Sequence, residues 1–127
     1  MQLLFLDLDH VLQIHRSLIE RYGGIPGLRD VGLLQSAIAM PQASFGGEFL
    51  HKGLFEMAAA YLYHIVQNHP FLDGNKRTGA AVAIVFLAIN GVDLQDDEEG
   101  LVGLTLAVAE GKASKQEIAG FLRGIAQ

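Results

Sequence analysis

The sequence predicts an all-α fold, a compact bundle of about six helices with a short flap-like loop or hairpin, in a single domain spanning residues 1–127. Three observations carry this. Apolar residues recur at helical spacing over most of the chain, capping and breaking residues bracket each such stretch, and no β-α-β alternation occurs. Half of the 127 residues are apolar and only 18% are charged. Such a chain can bury a sizeable core, so a folded domain is expected rather than disorder.

Asp7 precedes a stretch with Leu8, Val11, Leu12, Leu18 and Ile19 near one face, and it can cap that helix. Gly23-Gly24 ends it, and Pro26-Gly27 makes a turn. Asp30 can cap a second, short helix with Leu33, Leu34, Ala37 and Ile38 inward, closed by Pro41. Residues 42–52 hold two glycines between aromatics and show no helical face, which predicts an exposed loop or small hairpin. Phe55 to His69 is helical again, and Pro70 disfavours helix at the residue before it. Phe71 to Gly74 is a tight loop. Asn75 to Asn90 is apolar nearly all round, which marks a central buried helix ending at Gly91. Residues 93–99 are acidic and read as a solvated connection. A fifth helix runs from Leu101 to Ala109, stopped by Gly111. Ser114-Lys-Gln-Glu117 has the form of a capping box and starts a sixth.

The net charge of -5 and the pI of about 5.4 make direct nucleic-acid binding a poor expectation, because backbone binding needs a basic face. The chain has no cysteine, which excludes disulfides, thiolate catalysis and cysteine-ligated zinc. The start Met1-Gln-Leu-Leu-Phe-Leu-Asp has no positive region, so no signal peptide is expected. The nearly apolar run Gly79 to Ile89 is too short to span a bilayer. The expectation is a cytoplasmic protein without a membrane partner.

The segment His69-Pro-Phe-Leu-Asp-Gly-Asn-Lys-Arg77 concentrates an imidazole, a carboxylate, an amide and two cations between apolar helices. Gly74 permits a tight turn and close approach of a ligand. The next helix then presents free N–H groups and the positive end of its dipole, a natural anion site. Lys76 and Arg77 fall in its first turn, where cations are unfavourable unless an anion sits between them. Asp73 is a hard oxygen ligand suited to a magnesium bridging to phosphates. His69 could accept a proton from an attacking hydroxyl. Each residue alone has a bland reading: a structural histidine, a helix cap, a solvated Lys-Arg pair. The combination at this spacing outweighs them.

This segment resembles the signature of the Fic superfamily, His-Pro-Phe-x-Asp/Glu-Gly-Asn-Gly-x-Arg. The turn Arg21-Tyr-Gly-Gly-Ile-Pro-Gly27, the loop near Ser44 and the helix Thr78 to Asn90 also look like its Doc (death-on-curing) branch. Lys76 stands where most Fic enzymes have a second glycine, and Asn-Lys-Arg-Thr is the Doc pattern. The resemblance implies a toxin of a type II toxin-antitoxin system. In that branch the nucleotide binds in reverse, and the ATP γ-phosphate goes to a threonine of elongation factor Tu, arresting protein synthesis. His69 would be the catalytic base and Asp73 the magnesium ligand. The nucleotide segment would be Phe71, Gly74, Asn75, Lys76 and Arg77. Gly74 and Asn75 would shape the loop, the two cations would clamp phosphates, and Phe71 would face the core and anchor the loop. Residues 43–48 occupy the place of the Fic flap, which holds a target segment by main-chain pairing. No inhibitory helix with Ser/Thr-x-x-x-Glu-Gly/Asn occurs, since Ser44 and Glu48 have the spacing but lie outside a helix. The implied inhibitor is a Phd-like antitoxin.

Alternatives within the family are adenylyl transfer, which Pro70 and Gly74 keep open and Lys76 opposes, and a non-catalytic nucleotide-binding domain. Leu4-Phe-Leu-Asp7-Leu-Asp9 resembles the first motif of haloacid dehalogenase-type phosphatases, but no β-α-β alternation follows. A metal-hydrolase reading of His10, His15, His51, His64 and His69 lacks any i, i+4 pair.

Overall fold

The computed structural model describes residues 2–127. Among the described residues six α-helices form, and four of them (the first, second, fifth and sixth) begin at a capping side chain. Helix α1 (Leu8–Tyr22) starts at Asp7, whose carboxylate accepts the His10 N–H at 3.0 Å while the His10 ring accepts the Asp7 N–H. Helix α2 (Val31–Ala39) is capped by Asp30 and runs into a 3-10 turn over Met40–Gln42, with Pro41 inside that turn. The loop beyond it is a small antiparallel hairpin, β1 (Ser44–Phe45) and β2 (Glu48–Phe49), with Ser44 opposite Phe49. Then come α3 (Leu54–Asn68), α4 (Asn75–Ile89), α5 (Glu98–Ala109) and α6 (Lys115–Gly124). The Ser114 capping box is present at α6. Among the described residues, no helix is long and apolar enough to cross a membrane.

The expectation of a buried α4 needs correction: α3 is the central helix. It packs against α2, α4, α5 and α6 and buries Met57 through Leu62 as well as Ile65 and Val66. Its run Ala58-Ala59-Ala60 lets neighbours approach closely from several sides. Helix α4 buries one face, including Val82, Ala83, Phe86 and Leu87, while Ile84 and Ile89 stay exposed on the other. Periodicity could not separate a helix buried all round from one with an open apolar face. The close α3–α4 contact depends on Gly79, where a Cβ would stand 2.9 Å from the Val66 side chain and 3.2 Å from the Leu62 carbonyl oxygen.

The acidic stretch 93–99 is also more than a connection. Asp97 caps α5 by accepting the Gly100 N–H, and Glu98 and Glu99 occupy its first turn, where the helix dipole favours them. The apolar N-terminal segment forms no strand. Leu6 is held by the buried Tyr61 hydroxyl, which accepts its N–H and donates to its carbonyl. Asn90 grips Leu4 in the same way. With no sheet beyond the hairpin among the described residues, a phosphatase nucleophile strand has no place here.

Candidate active site

The α3–α4 loop lies on the surface, and three sets of contacts fix its shape. At its start, α3 ends at Asn68, and His69 takes a left-handed conformation (φ 52°), unique among the described non-glycine residues. Histidine tolerates this region better than most residues, though at some strain. Arg29 holds the end of α3 in place. Its Nε donates to the His69 carbonyl at 2.7 Å and its guanidinium also donates to the Asn68 carbonyl at 2.9 Å. A cation on free C-terminal carbonyls is favourable both as a hydrogen bond and against the dipole. The His69 side chain is exposed.

In the middle, the turn after α1 pairs with the loop. The Arg29 and Asp30 N–H groups donate to the Pro70 carbonyl, the Leu72 N–H donates to the Gly27 carbonyl, and Leu28 and Phe71 form an isolated bridge. The Phe71 ring is fully buried, so it serves the loop as an anchor and offers no surface to a nucleotide. The His15 ring lies parallel to it, with centroids 3.7 Å apart and an interplanar angle of 6°. The buried Asn75 side chain closes the loop on itself, accepting the Phe71 N–H at 2.9 Å and donating to the Phe71 carbonyl at 3.0 Å. The amide of Asn75 is therefore a brace for the loop.

At the end of the loop stands the anion cradle. Gly74 is the left-handed residue (φ 78°) before α4, and no side chain caps the helix. The first helical hydrogen bond runs from the Thr78 N–H to the Gly74 carbonyl. The N–H groups of Asn75, Lys76 and Arg77 precede it and are left without helical acceptors. The Asp73 carboxylate sits beside them. One oxygen accepts the Ile25 N–H at 3.0 Å and the other accepts the Gly74 N–H at 2.9 Å. These two bonds, Ile25 first, hold its pKa below the usual carboxylate value, with His15 and Lys76 adding to the effect. Gly24 makes the approach possible, because a Cβ there would lie 2.7 Å from the carboxylate.

Asp73, Gly74, Asn75, Lys76 and Arg77 all line one pocket of about 450 Å³, walled by apolar side chains of α4 and α5 that include Ile84, Leu101 and Leu106. Neither Lys76 nor Arg77 has an ion-pair partner among the described residues. The Arg77 guanidinium lies over the Tyr22 ring, 4.3 Å from its centroid, which leaves its N–H edge open. Glu98 is an acid in the same lining. His69 stands at the other end of the loop and is not part of that lining.

Sequence reasoning missed Arg29, His15 and Tyr22. Arg29 and His15 act across long stretches of chain, and no local spacing announces them. Tyr22 carried a weak signal, as an aromatic beside the glycine turn.

This donor set suits a magnesium-nucleotide. Among the described residues no group of three or more histidine, cysteine or acidic side chains could hold a metal alone. Magnesium commonly takes one or two carboxylates and fills its shell with water and substrate phosphates. Asp73, ionised and with oxygen lone pairs to spare, is suited to that role.

Unbonded N–H groups and two cations without ion-pair partners, at the mouth of an apolar pocket in a helical domain, make a site suited to an anionic ligand. The chain belongs to the Fic/DOC family, whose model matches residues 5–87. It is 38% identical to "Protein kinase doc" of Escherichia phage P1 over 115 residues, 91% of this chain and 90% of that protein. It is 47% identical to "Toxin Doc" of Mycolicibacterium smegmatis over 76 residues, 60% of this chain and 58% of that protein.

Proposed function

We propose that this protein is a toxin of the Doc kind, an ATP-dependent protein kinase that moves the γ-phosphate to a threonine hydroxyl of a translation protein, elongation factor Tu being the first candidate. The single observation that carries the proposal is the uncapped start of α4, where free N–H groups, Lys76 and Arg77 surround the place an anion would take. The similarity to a protein named a kinase and to one named a toxin supports the reaction class and the biological role.

In the reaction, the threonine oxygen forms a bond to the γ-phosphorus and the bond from that phosphorus to the β,γ-bridging oxygen breaks, releasing ADP. His69 takes the hydroxyl proton on its free ring nitrogen. Lys76, Arg77 and the helix N-terminus hold and orient the phosphates and offset their charge, which is the protein's main task in phosphoryl transfer. Asp73 would hold magnesium, which when bound would supply charge neutralisation at the phosphates. Pro70, Asn75 and the buried Phe71 keep the loop in shape. The hairpin Ser44–Phe49 suits a flap that receives the target segment, its Phe45 being 83% exposed.

The apolar wall of the pocket, which includes the exposed Ile84, Val102 and Leu106, suits a Phd-like antitoxin whose tail folds along it. Such a protein would act in the cytoplasm.

The test is to incubate the protein and elongation factor Tu with ATP labelled at either the γ- or the α-phosphate. Label from the γ-position on the target is the expected result. Label from the α-position would establish adenylyl transfer, the reading that Pro70 and Gly74 keep open and Lys76 opposes. Nucleotide binding with neither label transferred would leave a non-catalytic domain.

A further inference from the structure

The Asp73 carbonyl is held from inside the fold, and its direction decides what the loop can bind. Asp73 stands four residues before Arg77, so in a regular helix its carbonyl would accept the Arg77 N–H. It does not do so here. It accepts instead from His15 Nε2 at 2.8 Å, its sole partner among the described residues. A carbonyl can only accept, so His15 Nε2 carries the hydrogen. The ring is fixed in that pose. It is 5% exposed and lies flat on Phe71, and a Cβ on Gly74 would come within 3.6 Å of Nε2.

Carbonyl and N–H of one peptide plane point in opposite directions. With the Asp73 carbonyl turned to His15, the Gly74 N–H turns the other way and donates to the Asp73 carboxylate. A rotated plane would lose both bonds and give the carbonyl back to Arg77.

We propose that His15 is a positioning residue for the transfer reaction: its Nε2–H draws the Asp73 carbonyl inward, which leaves the Arg77 N–H open to a phosphate oxygen and keeps the Asp73 carboxylate at the pocket. The proposal rests on the nucleotide reading above for the identity of the ligand, but the geometry it asserts can be measured without one.

The test uses the full chain. Nitrogen-15 spectroscopy of the His15 ring near neutral pH is expected to show a protonated Nε2, and a bare Nε2 would overturn the proposal. Amide exchange in the ligand-free protein is expected to be fast at Arg77 and slow at Thr78, and a protected Arg77 amide would overturn it too. His15→Phe keeps a ring against Phe71 and removes the donor. Its ATP affinity with magnesium is expected to fall about ten-fold, the scale of one lost hydrogen bond. His15→Gln, which keeps a donor, is expected to recover part of that loss. Wild-type affinity in a folded His15→Phe overturns the proposal. If His15→Phe does not fold, the ring and exchange measurements on the wild type decide. A wild type that binds no ATP sinks the nucleotide reading, and the same two measurements still decide the role of His15.

Discussion

The Asp73 carboxylate reaches back across the fold to the turn after α1, where it accepts the Ile25 N–H at 3.0 Å beside a glycine that leaves it room. This one contact joins the proposed metal ligand to a turn 48 residues away in sequence. Gly24 carries φ of +119°, and an added Cβ would stand 2.7 Å from the carboxylate. Gly24→Ala is expected to lower stability by about 1–2 kcal/mol and to displace Asp73. Asp73→Ala should remove transfer activity, with added magnesium restoring it poorly. Urea melts and a magnesium titration of γ-phosphate transfer check both.

His69 combines an exposed side chain with a left-handed backbone. Both His69→Ala and His69→Gly are expected to abolish target labelling and growth arrest while remaining folded. Glycine suits this backbone and alanine does not, so the glycine variant should be the more stable by about 1 kcal/mol. Undiminished growth arrest with either variant refutes the role as base.

Lys76 is the residue that separates this loop from the general Fic pattern. Lys76→Gly is expected to reduce γ-phosphate transfer by about ten-fold or more, since it removes one cation from the cradle. Parallel reactions with α- and γ-labelled ATP measure this. An unchanged γ-rate would remove Lys76 from the phosphate clamp.

A second cluster lies between the hairpin and α6. The Lys115 ammonium is 3.2 Å from His51 Nε2 and 3.1 Å from His64 Nε2, so both rings accept from it in their neutral forms. Burial, then Lys115, then His51 push the His64 pKa down to about 4, and burial followed by Lys115 lowers that of His51. The unfolded chain, with ordinary histidines near 6.5, binds protons that the folded state refuses. Stability is therefore complete above 6.5 and falls as pH drops toward 4. Urea midpoints measured across that range should show this slope. The double variant His51→Gln, His64→Gln should flatten it, and an unaltered slope would assign the acid sensitivity elsewhere.

Gly79 sits in mid-helix at the α3–α4 contact, where a Cβ would meet the Val66 side chain at 2.9 Å, closer than a Cβ allows, and crowd the Leu62 carbonyl oxygen at 3.2 Å. Alanine gains about 1 kcal/mol of helix propensity. Overpacking costs about 1–3 kcal/mol in a tight contact. The overpacking should win because a backbone carbonyl cannot move aside as a flexible side chain can. Gly79→Ala is expected to melt earlier than the wild type, as calorimetry would show.

Much of this was legible before any coordinates. Asp7, Asp30 and Ser114 cap helices as read, and Gly23 and Gly91 lie where helices end. Caps act within one turn, so local sequence suffices to find them. Helix α5 starts at Glu98, ahead of Leu101, because the Asp97 cap decides its start within an acidic stretch. Helix α3, not the more uniformly apolar α4, is central, because apolar content by itself does not fix which face is covered.

The sequence by itself determined the helices, their caps and the polar loop from His69 to Arg77, because hydrophobic period, capping and dipole chemistry are short-range. Only the tertiary structure decided how that loop is held: Arg29 on the end of α3, Ile25 on Asp73, His15 on the Asp73 carbonyl and Tyr22 under Arg77. Each of these contacts joins residues that are 39 to 58 apart in the chain. A pairing of that range depends on how helices pack, and no local pattern encodes it.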